Sequence, residues 1–202
     1  MSQQTVYVVD DDTDVGKAVA YLLMHKGFST QVFTRPETFL ESIALDGEGC
    51  AIVDLQMPNL SGLELQQKLH DLDIDLPVIF LTGHGDVPAA TTSMKAGAID
   101  FLQKPVDPDV LIGVVREALK TAEKLKQERD RRAELEQLFA KLTPREREIV
   151  DFLAKGFTAR EIGQELDISS RTVEIHRSRI MKKLSVNCVA DLVALSIAYG
   201  LR

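Results

Sequence analysis

The sequence has little material for disulfides, zinc sites or membrane spans. It has two cysteines, Cys50 and Cys188, which are far apart and have no histidine or cysteine nearby at metal-ligand spacing. We therefore expect reduced thiols with a structural role. No window approaches the roughly 18 apolar residues of a membrane span, and the N-terminus lacks a basic stretch followed by an apolar run. These absences predict a cytoplasmic protein without a membrane partner.

Charge is distributed unevenly along the 202 residues. Residues 1–118 carry 18 acidic and 7 basic side chains, whereas residues 143–202 carry 8 acidic and 10 basic ones. The length and the 45% hydrophobic content predict two domains, each with its own core. Only the C-terminal part has a charge balance that favours a polyanion.

The first 118 residues alternate short β-rich runs with helical patterns, which is typical of β-α units around a parallel sheet. Gly27 can end the first helix, Ser61 can cap the third, and Val87-Pro88 can begin the fourth. We expect an α/β fold with a five-stranded doubly wound parallel sheet. The predicted strands are residues 5–9, 30–33, 50–54, 78–81 and 100–103.

Polar side chains follow four of these apolar runs. They are Asp10, Asp11 and Asp12, then Asp54, then Thr82, and finally Lys104. In an open parallel sheet, ligands bind in the crevice at the carboxyl ends of the strands, so these groups are expected to meet in one acidic pocket. An acidic run in isolation would instead be interpreted as a helix cap. The four clusters together favour the pocket.

The residue types in this pocket suit phosphoryl chemistry. A carboxylate that accepts a phosphoryl group needs a divalent cation to offset the repulsion between two anions. Magnesium prefers carboxylate oxygens and water, so Asp54 and Asp11, with Asp10 assisting, can form a Mg²⁺ site. A hydroxyl at Thr82 can hydrogen-bond the phosphoryl oxygens, and Lys104 can neutralise them.

The segments around the pocket resemble the motifs of a response-regulator receiver domain over residues 1–120. They are Val8-Val9-Asp10-Asp11, Asp54-Leu55-Gln56-Met57-Pro58, Leu81-Thr82-Gly83 and Phe101-Leu102-Gln103-Lys104-Pro105. The resemblance implies that Asp54 accepts a phosphoryl group from a sensor histidine kinase. It also implies that Asp11 and the backbone carbonyl of Gln56 bind Mg²⁺. Thr82 and Lys104 would then hold the phosphoryl group, and Phe101 would be the switch aromatic.

Two of these residues have plainer interpretations, and one other enzyme class needs similar groups. Phe101 can be an ordinary core aromatic, and His84, two residues beyond Thr82, either influences water access to the pocket or lies on a loop surface. An Asp-nucleophile phosphatase of the haloacid-dehalogenase type would place a second Asp two residues after the nucleophile as general acid. Here that position is Gln56, which cannot donate and recover a proton. We therefore expect a switch rather than an enzyme.

A charged helical linker is expected at residues 121–141, where Lys, Glu, Arg, Ala and Gln dominate without Gly or Pro. Leu125, Leu135, Leu138 and Phe139 do not sustain a heptad, so a solvated spacer is favoured over a coiled coil. Thr143-Pro144 followed by Glu146 then predicts a helix start. The second domain is expected at residues 142–202.

Four short helices are predicted in this second domain, a small all-α fold. They span residues 144–155, 158–166, 170–184 and 189–199, and the tight connection at residues 167–169 has helix-turn-helix spacing. The third helix would enter the major groove of double-stranded DNA, where Glu174, Ile175 and Ser178 can read bases. Five cations would contact phosphates, namely Arg171, Arg177, Arg179, Lys182 and Lys183.

The segments Leu142-Thr143-Pro144-Arg145-Glu146-Arg147-Glu148 and Thr172-Val173-Glu174-Ile175-His176 resemble a LuxR-type DNA-binding domain. With Thr82-Gly83-His84-Gly85-Asp86-Val87, the whole chain is similar to a FixJ-type transcriptional regulator. Thr172, which lies in the second of these segments, belongs to the expected DNA-contacting set. The resemblance implies homodimerisation on phosphorylation through a receiver face at about residues 84–120, and contact with RNA polymerase. It also implies pairing on DNA through Val189, Val193 and Ile197 of the last helix. The alternatives are an adaptor whose helical module binds protein and an RNA-binding antiterminator.

Overall fold

The computed structural model describes residues 4–43, 48–83 and 97–200. The chain divides into two compact units, Met1–Gln127 and Glu128–Arg202. Within the described ranges, none of the helices combines the length and the apolarity that a bilayer crossing requires. Each unit has its own buried apolar core, as the composition predicts.

The first unit is built on a five-stranded sheet in which every neighbouring pair is parallel. The spatial order is β2-β1-β3-β4-β5. The strands are β1 (Thr5–Val9), β2 (Ser29–Phe33), β3 (Gly49–Asp54), β4 (Val78–Thr82) and β5 (Asp100–Gln103). Because all five run in one direction, their carboxyl ends lie along the same edge. The predicted five-stranded doubly wound fold is confirmed.

Helices cover both faces of this sheet. The helices are α1 (Thr13–His25), α2 (Pro36–Ile43), α3 (Gly62–Asp71) and the long α4 (Pro108–Ala140). Side chains of α1 and α4 pack on one face with Val8 and Ile52, and those of α2 and α3 pack on the other with Val9 and Val53. Successive strand residues point to opposite faces, so a strand buried on both sides is apolar throughout. The helix predicted to begin at Val87-Pro88 lies outside the described residues.

The second unit contains four short helices after α4. They are α5 (Pro144–Ala154), α6 (Ala159–Glu165), α7 (Ser170–Leu184) and α8 (Val189–Tyr199). Thr143 and Thr158 form capping boxes at the starts of α5 and α6, and the Ser169 side chain caps α7. Asp167, at a φ of 51°, makes the turn between α6 and α7. This is the predicted four-helix arrangement with a helix-turn-helix.

The expected solvated spacer is wrong at its C-terminal end. Phe139 is 1% exposed and joins the core of the second unit, and its ring stacks on Tyr199 at 4.2 Å between centroids. Leu142, directly after the helix, is also buried there. These apolar residues pack against helices of the second unit, so their spacing follows that core and not a heptad.

Both cysteines are free thiols, as expected. Cys50 is buried in β3, and burial raises the pKa of its thiol to about 12, so it remains protonated at neutral pH. Cys188 is exposed, and its Sγ accepts a hydrogen bond from the backbone N–H of Asp191 at 3.4 Å. It therefore serves as the N-cap of α8.

Gly62, the first residue of α3, provides a stability test. A Cβ at this position would lie 2.5 Å from the carbonyl oxygen of Asp54 and 2.9 Å from Cε1 of Phe80. We expect Gly62→Ala to destabilise the first unit by ~1–3 kcal/mol, because backbone and a core ring must move. Gly113→Ala, in the interior of α4, is the control, since apart from its chain neighbours and the nearby backbone of that helix no described atom lies within 4 Å of a Cβ there. It should raise stability by up to ~1 kcal/mol. Urea unfolding measures both, and equal effects would contradict this packing.

Glu146 provides a pH-dependent test of the second unit. Burial raises the pKa of its carboxyl, but hydrogen bonds from Lys183 and Thr143 outweigh burial, and the pKa lies below its ordinary value. A lowered folded pKa stabilises the fold above the unfolded pKa of ~4.3, and that contribution is lost as pH falls through the folded value. We expect Glu146→Gln to cost ~1–3 kcal/mol at pH ~7 and progressively less below pH ~4.

The measurement is urea unfolding of the full chain at several pH values, followed by hydrogen exchange of amides in α5 and α7. Glu165→Gln, at an exposed position at the end of α6, is the control and should stay within ~0.5 kcal/mol of the wild type. A Glu146→Gln deficit that is the same at neutral and acidic pH would show that the charge of this carboxylate is not what stabilises the unit.

Candidate functional site

Three aspartates meet at the carboxyl edge of the sheet. Asp10 follows β1 and is 2% exposed, Asp11 is exposed, and Asp54 is the half-buried last residue of β3. One carboxylate oxygen from each lies within 4.8 Å of the others. Asp10 and Asp54 come together because β1 and β3 are adjacent parallel strands that end side by side.

The ammonium group of Lys104 lies between two of these carboxylates. Its Nζ donates to Oδ2 of Asp10 at 2.7 Å and to Oδ2 of Asp54 at 3.0 Å. Lys104 follows β5, and its backbone N–H donates to the carbonyl oxygen of Thr82 at 2.7 Å. This main-chain bond ties the end of β4 to the segment that carries the lysine, so the Nζ reaches the carboxylates from a fixed backbone position.

Burial and charge act in opposite directions on these groups. Burial raises the pKa of Asp10 above its ordinary value, although the hydrogen bond and charge of Lys104 oppose the rise. Burial would lower the pKa of Lys104, but the hydrogen bonds and charges of Asp10 and Asp54 outweigh it, and the lysine pKa is raised. Lys104 is therefore a permanent cation at neutral pH.

The donor set of this pocket fits a divalent cation of the magnesium type. Three carboxylates with closely spaced oxygens supply hard ligands and more negative charge than one lysine neutralises. Asp12 is not part of this set, since its Oδ1 accepts from the backbone N–H groups of Asp14 and Val15 and caps α1. For Asp12 alone the helix-cap interpretation of the acidic run is correct.

The remaining predicted pocket residues lie around this cluster. Thr82 is the buried last residue of β4, and Gln56 is exposed two residues after Asp54, to whose Oδ1 its backbone N–H donates at 3.4 Å. Phe101, on β5, is half-buried and packs against the core on the α2 and α3 side. His84 lies outside the described residues.

Gly62 is a site residue that sequence reasoning missed. Any side chain there would collide with the carbonyl oxygen of Asp54 itself. The only local signal is a glycine directly after the capping Ser61, at a helix start where glycine offers no advantage in propensity. The close approach of α3 to the end of β3 becomes visible only in the fold.

The second candidate site is the exposed surface of α7. Six of the eight predicted DNA-contacting side chains are exposed, namely Arg171, Glu174, Ile175, Ser178, Arg179 and Lys182. Thr172 and Arg177 are half-buried. Val173, Ile180 and Leu184 face the core, so the helix presents its polar surface outward, as its periodicity indicates.

Local contacts involve three members of this surface. Thr172 Oγ1 lies 2.7 Å from Oγ of the capping Ser169. Arg177 Nη1 donates to Oε1 of Glu174 at 3.0 Å, one turn away on the same helix. The charges of this solvent-accessible pair partly offset each other. Arg171, Arg179 and Lys182 are exposed on this helix.

Lys183 has a partner that the sequence analysis did not anticipate. The sequence predicts that Lys183 contacts phosphate, but its Nζ donates to Oε2 of Glu146 on α5 at 2.6 Å. The adjacent Lys182 is exposed. Neighbouring positions on a helix point ~100° apart, so two lysines in sequence have different surroundings.

Two known families match this chain, one for each part of it. Residues 6–116 match the response regulator receiver domain, and residues 140–196 match the bacterial regulatory proteins of the luxR family. Between them, these two matches include the acidic pocket and all of α7.

Individual relatives match over nearly the whole chain. The response regulator protein TmoT of Ectopseudomonas mendocina is 40% identical over 191 residues, which cover 95% of this chain and 87% of TmoT. The transcriptional regulatory protein FixJ of Rhizobium meliloti is 36% identical over 200 residues, covering 99% of this chain and 98% of FixJ.

Solved structures extend the likeness to the fold. The response regulator StyR superposes with a TM-score of 0.85 at 39% identity, covering 98% of this chain and 100% of StyR. Full-length FixJ from B. japonicum gives a TM-score of 0.60 at 34% identity, with 100% of both chains covered. The chain therefore belongs to the two-component response regulators that join a receiver domain to a LuxR-type DNA-binding domain.

Proposed function

We propose that this response regulator is a transcription factor controlled by phosphorylation of Asp54. The observation that carries the proposal is the Lys104 ammonium group, which bonds the carboxylates of Asp10 and Asp54 together. A lysine held in this position can neutralise a phosphoryl group added to either oxygen of Asp54. The sensor histidine kinase that supplies the phosphoryl group is the expected partner.

Asp54 is the nucleophile in this scheme. One of its carboxylate oxygens forms a bond to phosphorus while the bond between phosphorus and the donor's leaving group breaks, and the leaving group departs with the electron pair. Asp54 is the member of the cluster at a strand end that is neither fully buried, as Asp10 is, nor fully exposed, as Asp11 is. Its side chain can therefore be reached by a donor while its surroundings stay ordered.

Asp10, Asp11 and Asp54, with the backbone carbonyl of Gln56, would hold Mg²⁺ in this pocket. The ion would supply positive charge that offsets the repulsion between the carboxylate and the incoming phosphoryl oxygens. The three carboxylate oxygens within 4.8 Å of one another support this assignment. Asp10 is positioned for it by the backbone N–H of Asp12, which donates to its Oδ1 at 3.0 Å.

Thr82 and Lys104 would hold the phosphoryl group after transfer, and Phe101 would report its presence. A hydroxyl donor and an ammonium donor can each bind one phosphoryl oxygen, and both contacts exist only in the phosphorylated state. Such differential contacts shift the population towards a conformation in which Thr82 has moved to the phosphate. Phe101 is half-buried on the neighbouring strand and can follow that movement. Gln56 supplies no general acid, which supports a switch without catalytic turnover.

The DNA-binding unit would place α7 in the major groove of double-stranded DNA. Glu174, Ile175 and Ser178 are exposed and would read base edges, together with Thr172 near the helix start. The cations of the helix would contact phosphates, namely Arg171, Arg177, Arg179 and Lys182. Homodimerisation on phosphorylation is expected, and Ile197, 57% exposed on α8, offers an apolar surface for pairing on DNA. RNA polymerase is the expected downstream partner.

Phosphorylation is tested with a small acyl phosphate donor and Mg²⁺. We expect one phosphoryl group per wild-type chain by intact-protein mass spectrometry, and none on Asp54→Asn, because an amide is not a nucleophile of comparable strength. Removal of Mg²⁺ by a chelator should abolish labelling, because the pocket then holds uncompensated negative charge.

The matched control is Asp12→Asn, which changes one charge next to the pocket. Asparagine caps helices as well as aspartate does, so α1 should remain capped and labelling should persist. Equal labelling of wild type and Asp54→Asn would remove Asp54 from its proposed role. Loss of labelling in Asp12→Asn as well would indicate a general requirement for acidic charge.

DNA binding is tested by the salt dependence and sequence preference of the full chain. Arg179→Ala should weaken binding to all duplexes alike and reduce the slope of log K against log salt by ~0.9, because one phosphate contact is lost. Glu174→Ala should change the preference at one base pair by ~1–3 kcal/mol. Electrophoretic shift or fluorescence anisotropy provides the affinities.

Arg132→Ala is the control, since this exposed arginine on α4 pairs with Glu136. It should leave the salt slope and the sequence preference unchanged. Tighter binding of the wild type to single-stranded RNA than to duplex DNA would favour the antiterminator. Binding to neither nucleic acid would favour the protein-binding adaptor.

A further inference from the structure

Two consecutive residues of α5 hold the two halves of the helix-turn-helix. Arg145 Nη2 donates to the carbonyl oxygen of Leu166, the C-cap of α6, at 2.5 Å. Glu146 Oε2 accepts from Lys183 Nζ, in the last turn of α7, at 2.6 Å. One contact reaches the end of the first helix of the motif and the other reaches the end of the second.

Glu146 is a buried carboxylate with a defined set of donors. Its side chain is 4% exposed, whereas that of Lys183 is 34% exposed. The backbone N–H of Thr143 donates to the same oxygen at 2.8 Å, and Thr143 Oγ1 in return accepts from the Glu146 N–H at 3.3 Å. The capping box therefore fixes the position of the carboxylate relative to α5 independently of its bond to Lys183.

A buried carboxylate needs a cation in good geometry, because its lost hydration is otherwise uncompensated. The cation here comes from a different helix, 37 positions along the chain. The bond therefore restricts the rotation of α7 about its own axis as well as its distance from α5. Core contacts of Val173 and Ile180 hold the same helix but are less directional than a charged hydrogen bond.

We propose that Arg145 and Glu146 are positioning residues that set the orientation of α7 for base reading, with Lys183 as the anchor on α7. This inference rests on the proposed DNA-binding role of α7. It removes Lys183 from the phosphate-contacting cations and leaves that role to the adjacent, exposed Lys182. The two neighbouring lysines then have different functions: Lys183 orients the helix and Lys182 contacts the DNA phosphates.

The two lysines should differ in two independent measurements on the full chain. Lys182→Met should lower the slope of log K against log salt by ~0.9 on a random-sequence duplex, while the preference for a specific duplex is retained. Lys183→Met should leave that slope unchanged, while the preference for the specific duplex over the random one decreases. Partial unfolding would lower the active fraction of either variant but would change neither quantity.

The specific probe is a duplex enriched by the wild-type chain from a random library, and the reference probe is a random-sequence duplex of equal length. Active fractions are determined first by stoichiometric titration. Glu146→Gln should decrease the preference in the same direction as Lys183→Met, and the double variant should be no worse than the poorer single variant, because both remove one interaction. Lys183→Arg, which keeps a donor cation, should restore most of the preference.

A salt slope that falls as much in Lys183→Met as in Lys182→Met would overturn the proposal, because Lys183 would then contact phosphate. Additive losses in the double variant would overturn it as well, since the two residues would act independently. Failure of the wild type to enrich any duplex is a different result, which contradicts the DNA-binding role of α7 itself.

Discussion

The receiver depends on one ammonium group placed between two carboxylates. Lys104 bonds Asp10 and Asp54 across separations of 94 and 50 positions in the chain. β1, β3 and β5 bring Asp10, Asp54 and Lys104 to the same edge of the sheet. The cation offsets the repulsion between the two carboxylates in this partly buried site. The pocket is thus a balance of charge that a divalent cation or a phosphoryl group can alter, and this sensitivity suits a switch.

A comparable pair of opposite charges organises the second unit. Glu146 is about as buried as Asp10, and its cation also comes from a distant position in the chain. The two sites nevertheless serve different purposes. The receiver pocket holds several carboxylates and is open to a ligand, whereas Glu146 has its donors already in place from Thr143 and Lys183. The excess negative charge of the receiver pocket can bind a cation, whereas the matched pair of Glu146 and Lys183 fixes the position of two helices.

The long helix α4 contributes to both cores. Its first part supplies Leu111 and Val115 to the receiver core, and near its end Phe139 is buried in the second unit against Tyr199. Residues 127–134 between them are exposed and mostly charged, and Arg132 forms an ion pair with Glu136. The buried apolar residues near the start and near the end of this helix belong to different cores, which explains why they show no regular heptad.

Local sequence patterns determined most of the secondary structure and the membership of the acidic pocket. A single sequence reveals apolar runs of four or five residues, capping residues such as Ser61 and Thr143, and the alternation of strands with helices. These are all short-range regularities. Only the tertiary structure decided which side chains meet. Asp12 caps α1, whereas Asp10 binds Lys104. Lys183 bonds Glu146, whereas Lys182 is exposed, and Phe139 belongs to the second core. The physical reason is that a side chain's partner depends on the path of distant backbone segments and on small rotations of a helix. Neither leaves a periodic trace in the sequence.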